Sequence, residues 1–148
     1  MRNSFFIILL SAMIISCNFS AEKEIDVRAV DVSFSVSRFE VDFYASTPAT
    51  LTVTKQLYPL FFPEGVHDSI WLQKLQNVDE RELLNETQKV FTSFELEEKQ
   101  LTSLFKHIKF YNPQFVVPNV TTLISNIDYE SKVIYTNDQL LVSLDVYL

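Results

Sequence analysis

Gly65 is the only glycine in a chain of 148 residues. Glycine admits positive φ and close backbone approach to a ligand at little steric cost. A phosphate-binding P-loop, a GxGxxG dinucleotide turn and a GxSxG nucleophile elbow each need several glycines, so these three are excluded. The single Cys, Cys17, likewise excludes an intramolecular disulfide and a cysteine-based zinc knuckle. Lys and Arg number 12 against 19 Asp and Glu, a net charge of −7. That balance argues against a nucleic-acid partner, whose phosphates call for a basic patch. Hydrophobic residues at 47% and aromatics at 14% argue for a packed core over disorder. The length suits one domain or part of one.

Met1-Arg2-Asn3 carries one positive charge, and the apolar runs Phe5-Phe6-Ile7-Ile8-Leu9-Leu10 and Ala12-Met13-Ile14-Ile15 follow. This is the layout of a signal peptide, too short for a comfortable membrane span. It ends in Ile14-Ile15-Ser16-Cys17, which resembles a bacterial lipobox: an apolar residue, then a small one, then Cys. In that pattern the Cys thiol is diacylglycerylated, the peptide is cut before it, and the new N-terminus is acylated, as with palmitate. Acyl chains contribute ~0.8 kcal/mol per buried CH₂ and anchor a domain without a transmembrane helix. The alternative is an ordinary signal peptide in which Cys17 is incidental. The lipobox is favoured, because the only Cys lies at the end of the apolar run. The expected layout is a signal peptide over 1–16, a tether over 17–24 and one α+β domain over 25–148. The chain stops on an apolar strand, so the domain is expected to be incomplete at its C-terminus.

Val30, Val32, Phe34 and Val36 alternate with Asp31, Ser33, Ser35 and Ser37, which predicts a half-buried strand over 25–36. Phe39 and Phe43 then dock a short helix or turn, and Thr47-Pro48 opens a helix reaching Leu57. Tyr58-Pro59-Leu60-Phe61-Phe62-Pro63-Glu64-Gly65 is irregular but apolar. Such a loop either packs into the core or presents its side chains to a partner. Packing is favoured, with Tyr58, Phe61, Phe62 and nearby Trp71 as the docking candidates on the other reading. Asp68-Ser69 is expected to cap a helix, Asp79 to open a capping box with Glu82, and Ser93 to cap a third. That third helix carries Phe94, Leu101, Leu104, Phe105 and Ile108 at helical spacing. Three C-terminal strands are predicted over 120–127, 132–135 and 140–148, antiparallel, with a turn at Thr136-Asn137-Asp138-Gln139. Strand, helical middle and C-terminal antiparallel strands make an α+β fold.

Catalytic chemistry finds little support in the residues. His67 and His107 are the only histidines, and neither lies in an HExxH or similar metal spacing. They read as surface or cap-region residues. The pairs Glu40 with Asp42 and Asp128 with Glu130 could serve acid–base work on a strand, but are expected to be solvated. The 95–99 charge run is a solvated helix face. No cofactor and no metal are expected.

Three stretches together carry a resemblance. They are Tyr58-Pro59-Leu60-Phe61-Phe62-Pro63 with Ser69-Ile70-Trp71-Leu72; Leu104-Phe105-Lys106-His107-Ile108-Lys109-Phe110-Tyr111 with Pro113 and Pro118; and Thr122-Leu123-Ile124-Ser125-Asn126-Ile127-Asp128-Tyr129, Lys132-Val133-Ile134-Tyr135 and the run from Leu140 to Leu148. In this order, after a lipobox and Arg38-Phe39, the chain resembles the GldB gliding-motility lipoproteins of the Bacteroidetes type. The resemblance implies an envelope lipoprotein needed for gliding, beside other gliding and type IX secretion components; with the lipobox at Cys17 and no catalytic constellation in the residues, the expected role is that of a membrane-anchored structural or assembly component and not an enzyme. Members are about twice this length, which implies an N-terminal half. The family is also distantly similar to zinc-dependent proteases, so the alternative is a fragment of a zincin-like hydrolase. Its metal helix would lie after Leu148, and no catalytic residue can be carried over. A third reading is a lipoprotein binding a small apolar ligand near 58–63.

Overall fold

The computed structural model describes residues 25–136 and 138–148. The expected signal peptide over 1–16, Cys17 and the expected tether over 17–24 lie outside them. The fold is α+β, as expected. Strand β1 (Val36–Arg38) runs directly into helix α1 (Phe39–Tyr44), followed by α2 (Leu51–Leu57), a 3-10 turn (Pro59–Phe61), α3 (Asp68–Leu75), α4 (Val78–Val90) and α5 (Glu95–Tyr111). Strands β2 (Asn119–Leu123), β3 (Val133–Tyr135) and β4 (Gln139–Ser143) and a closing 3-10 turn (Leu144–Tyr147) complete the chain.

The sheet order is β1-β2-β4-β3. Only β3 and β4 pair antiparallel; β1 with β2 and β2 with β4 are parallel. The expectation of wholly antiparallel C-terminal strands therefore holds for one hairpin. Burial explains the order. Leu140-Leu141-Val142 is apolar without a break, the mark of a strand covered on both faces, and it enters the middle of the sheet. Val133, Ile134 and Tyr135 are all exposed and take the edge.

Other boundaries moved for local reasons. Over 30–36 the predicted alternation of burial is present, yet ladder pairing begins only at Val36. The strand predicted over 140–148 ends at Ser143, because Leu144 and Asp145 are both buried and a strand cannot point neighbours the same way. Helix α3 is capped by His67, whose Nδ1 accepts from the Ser69 amide at 3.2 Å, not by Asp68 or Ser69. Helix α4 is capped by Asn77, whose Oδ1 accepts from the Glu80 amide at 3.1 Å, two residues before the predicted box. Helix α5 begins after Phe94, at φ 58°. That left-handed backbone costs about 1–2 kcal/mol, offset by a buried ring with the Arg38 guanidinium 5.4 Å from its centroid. The core joins Phe43, Tyr44, Leu51, Leu75 and Leu84, with Phe39, Phe62, Trp71, Leu72 and Ile124 packed against it.

Candidate functional site

The 58–63 segment turns because Pro59 sits at the start of its 3-10 helix, where its fixed φ fits and no amide donor is needed. The turn brings Tyr58, Phe61, Phe62 and Trp71 around the two phenylalanines of α1. Phe61 stacks on Phe39 with centroids 4.1 Å apart. Phe62 meets the Trp71 ring edge-on at 4.9 Å, and Tyr58 meets Phe39 edge-on at 5.1 Å. The Tyr58 hydroxyl donates to the Asp42 carboxylate. All four candidates are half-buried. The exposed apolar groups of this region are Leu57 and Leu60, at 66% and 62%. The sequence reading passed over Leu57. It falls one residue before the turn, and only the path of the chain turns it outward.

Buried charge lies beside this cluster. Glu40 is fully buried, against the expectation of a solvated pair with Asp42. It sits in a helix, not on a strand, so the two carboxylates diverge. Arg38 Nε donates to Glu40 Oε1 at 2.5 Å, and the Thr122 hydroxyl donates to Oε2 at 2.7 Å. The guanidinium also donates to the Phe91 carbonyl at 3.1 Å. This network ties β1, α1 and β2 together. A second one joins α1, α3 and α4: the Tyr44 hydroxyl donates to Glu80, which also accepts from Lys74 Nζ at 2.6 Å. A third lies at the C-terminal end. Asp145 accepts from the amides of Ser125 at 3.0 Å and Ile127 at 2.6 Å. It thereby holds a loop in which Asn126 and Ile127 both have left-handed φ.

Burial, followed by the hydrogen bond to Glu80, pushes the Tyr44 phenol well above its ordinary value of 10.0. Burial and the bond to Asp42 do the same for Tyr58. Unfolded tyrosines ionise near about 10 while the folded ones keep their protons. Stability from both is thus complete below that pH and falls as pH rises beyond it. Thermal melting from neutral pH to pH 11 is expected to show that alkaline loss. Tyr44→Phe should flatten it, and an unchanged slope would contradict the assignment.

The stripe on α5 is only partly a core face. Phe105 is buried, but Leu104 is 51% exposed. Leu101 and Leu104 instead line an open apolar groove of about 580 Å³ with Phe91, Phe94, Val142 and Leu144. His107 Nδ1 donates to the Ser103 carbonyl at 2.7 Å within α5. Among the described residues, no group of three or more His, Cys, Asp and Glu could hold a metal ion. Among them, too, no helix is long and apolar enough to cross a membrane.

No curated protein matches the chain, and no solved structure does. A protein family does, over residues 20–148, which takes in the whole of the described fold. The match covers the aromatic turn, the long helix and the C-terminal strands in one alignment, and on that extent the chain belongs to the family of the gliding motility protein GldB.

Proposed function

We propose that this chain is a lipid-anchored, non-enzymatic component of the bacterial gliding apparatus, with a structural or assembly role. The family match over residues 20–148 carries this reading. The Ile14-Ile15-Ser16-Cys17 pattern supports the anchor. Acyl chains on Cys17 hold the domain at an envelope membrane, and residues 17–24 give it reach. The contact with other gliding or secretion components falls at the 58–63 turn, where Tyr58, Phe61, Phe62 and Trp71 form a rigid aromatic base and Leu60 projects from it. Large apolar groups on a fixed backbone lose little entropy on binding, which suits a contact site.

Cys17→Ala tests the anchor. The variant is expected to leave the membrane fraction, to lack the lipid mass, and to abolish gliding. Gliding at the normal rate by cells carrying only the unacylated protein would overturn the anchoring role.

A further inference from the structure

The 58–61 turn arches over the sheet face opposite α5 and leaves a cavity of about 300 Å³. Its floor is a row of neutral polar side chains. Ser37 is in register with Thr121, and Asn119 with Gln139, so hydroxyls and amides from three strands share one face. Ser35 extends the row: its amide and hydroxyl donate to Asn119 Oδ1 at 2.9 and 2.8 Å. With that oxygen engaged, the amide NH₂ of Asn119 is the end left to donate. Thr121 similarly donates to Gln139 Oε1, at 3.5 Å, which leaves the Gln139 NH₂. The wall is the turn itself, from Tyr58 to Phe61. Among the described residues, no Lys, Arg, His, Asp or Glu lines the cavity.

This lining selects its ligand by elimination. A phosphate or carboxylate would find no cation, and a metal ion no carboxylate or imidazole. A wholly apolar molecule would strand the amides of Asn119 and Gln139 without partners. What fits is a neutral molecule with hydrogen-bonding edges and an apolar face, sized for the low end of the ~300–1,000 Å³ range of small-ligand sites. A sugar ring has that chemistry. We infer that the cavity binds one or two residues of a neutral saccharide. The hydroxyls meet the row of Ser37, Asn119, Thr121 and Gln139, and the C–H face lies against the turn. The site shares the 58–61 turn with the contact region proposed above but stands on the lining of the cavity and not on that reading.

The test is a titration of the isotope-labelled 148-residue chain in detergent micelles with chitotetraose and cellotetraose. A sulfated disaccharide and an extended pentapeptide serve as controls. The expected result is amide shift changes at Ser37, Thr121 and Gln139 with a neutral oligosaccharide and with neither control. Gln139→Leu, shown by melting to be folded, should bind about 3–10-fold more weakly, the loss of one neutral hydrogen bond. No shifts at millimolar sugar, the same shifts from the peptide alone, or unchanged binding by folded Gln139→Leu would each overturn the site. Gliding of a folded Leu60→Asp strain separates the two readings. Lost gliding without sugar binding removes the saccharide and leaves the contact region standing. Sugar binding with normal gliding removes the contact region and keeps the saccharide.

Discussion

Arg38→Met is expected to destabilise the domain by about 3–5 kcal/mol, the range for removing one partner of a buried ion pair. The Glu40 carboxylate has no access to water. Without the guanidinium it keeps one neutral donor, the Thr122 hydroxyl. A buried carboxylate held by a single hydroxyl is costly, so the fold either opens or the acid takes up a proton. The same substitution removes the bond to the Phe91 carbonyl and the cation above the Phe94 ring, loosening the entry to α5. Urea unfolding of the 148-residue chain measures the loss. Arg38→Met with Glu40→Gln should be less destabilised than the two single variants added together, because the unpaired charge is gone. A single variant within about 0.5 kcal/mol of the parent, the usual range of a minor surface change, would mean that Glu40 is solvated after all.

Phe43→Ala is expected to cost about as much, ~3–5 kcal/mol, for a large ring removed from a packed interior. Phe43 is 1% exposed. Its ring lies 5.0 Å from Tyr44, 6.0 Å from Phe62 and 6.5 Å from Trp71. The cavity it leaves would unseat the base on which the 58–63 turn rests. Trp71 is the only tryptophan, so its emission reports on this place alone. A red shift should accompany the drop in stability. If the drop is small and the emission unchanged, the turn is held by its own contacts and not by α1.

Much of the local structure was legible beforehand. Helix α5 announced itself through apolar residues at helical spacing, and the alternation over 30–36 predicted which side chains turn inward. The apolar, proline-bounded 58–63 segment was singled out as a loop that must bury its rings or show them, and it half-buries them. Two failures share a cause. Glu40 looked like half of a solvated pair because, although Arg38 is only two residues away, the groups that enclose the pair are remote: Thr122 lies 82 residues from Glu40, and Phe91, whose carbonyl accepts from the guanidinium, lies 53 from Arg38. Leu104 looked like core because spacing shows that a face is apolar without showing what covers it.

The α+β class, the approximate spans of the helices and the family were legible in the residues alone, as was the Ile14-Ile15-Ser16-Cys17 pattern on which the proposed anchor rests. Each of these is written in spacing, turn residues or a short contiguous motif. Tertiary structure alone decided that β4 separates β2 from β3, that Arg38 and Glu40 close an ion pair inside the protein, and that the 58–61 turn roofs a row of neutral side chains. These depend on which distant segments meet. Strand pairing and the burial of a charge are set by the summed packing of the whole chain, and no local window contains that sum.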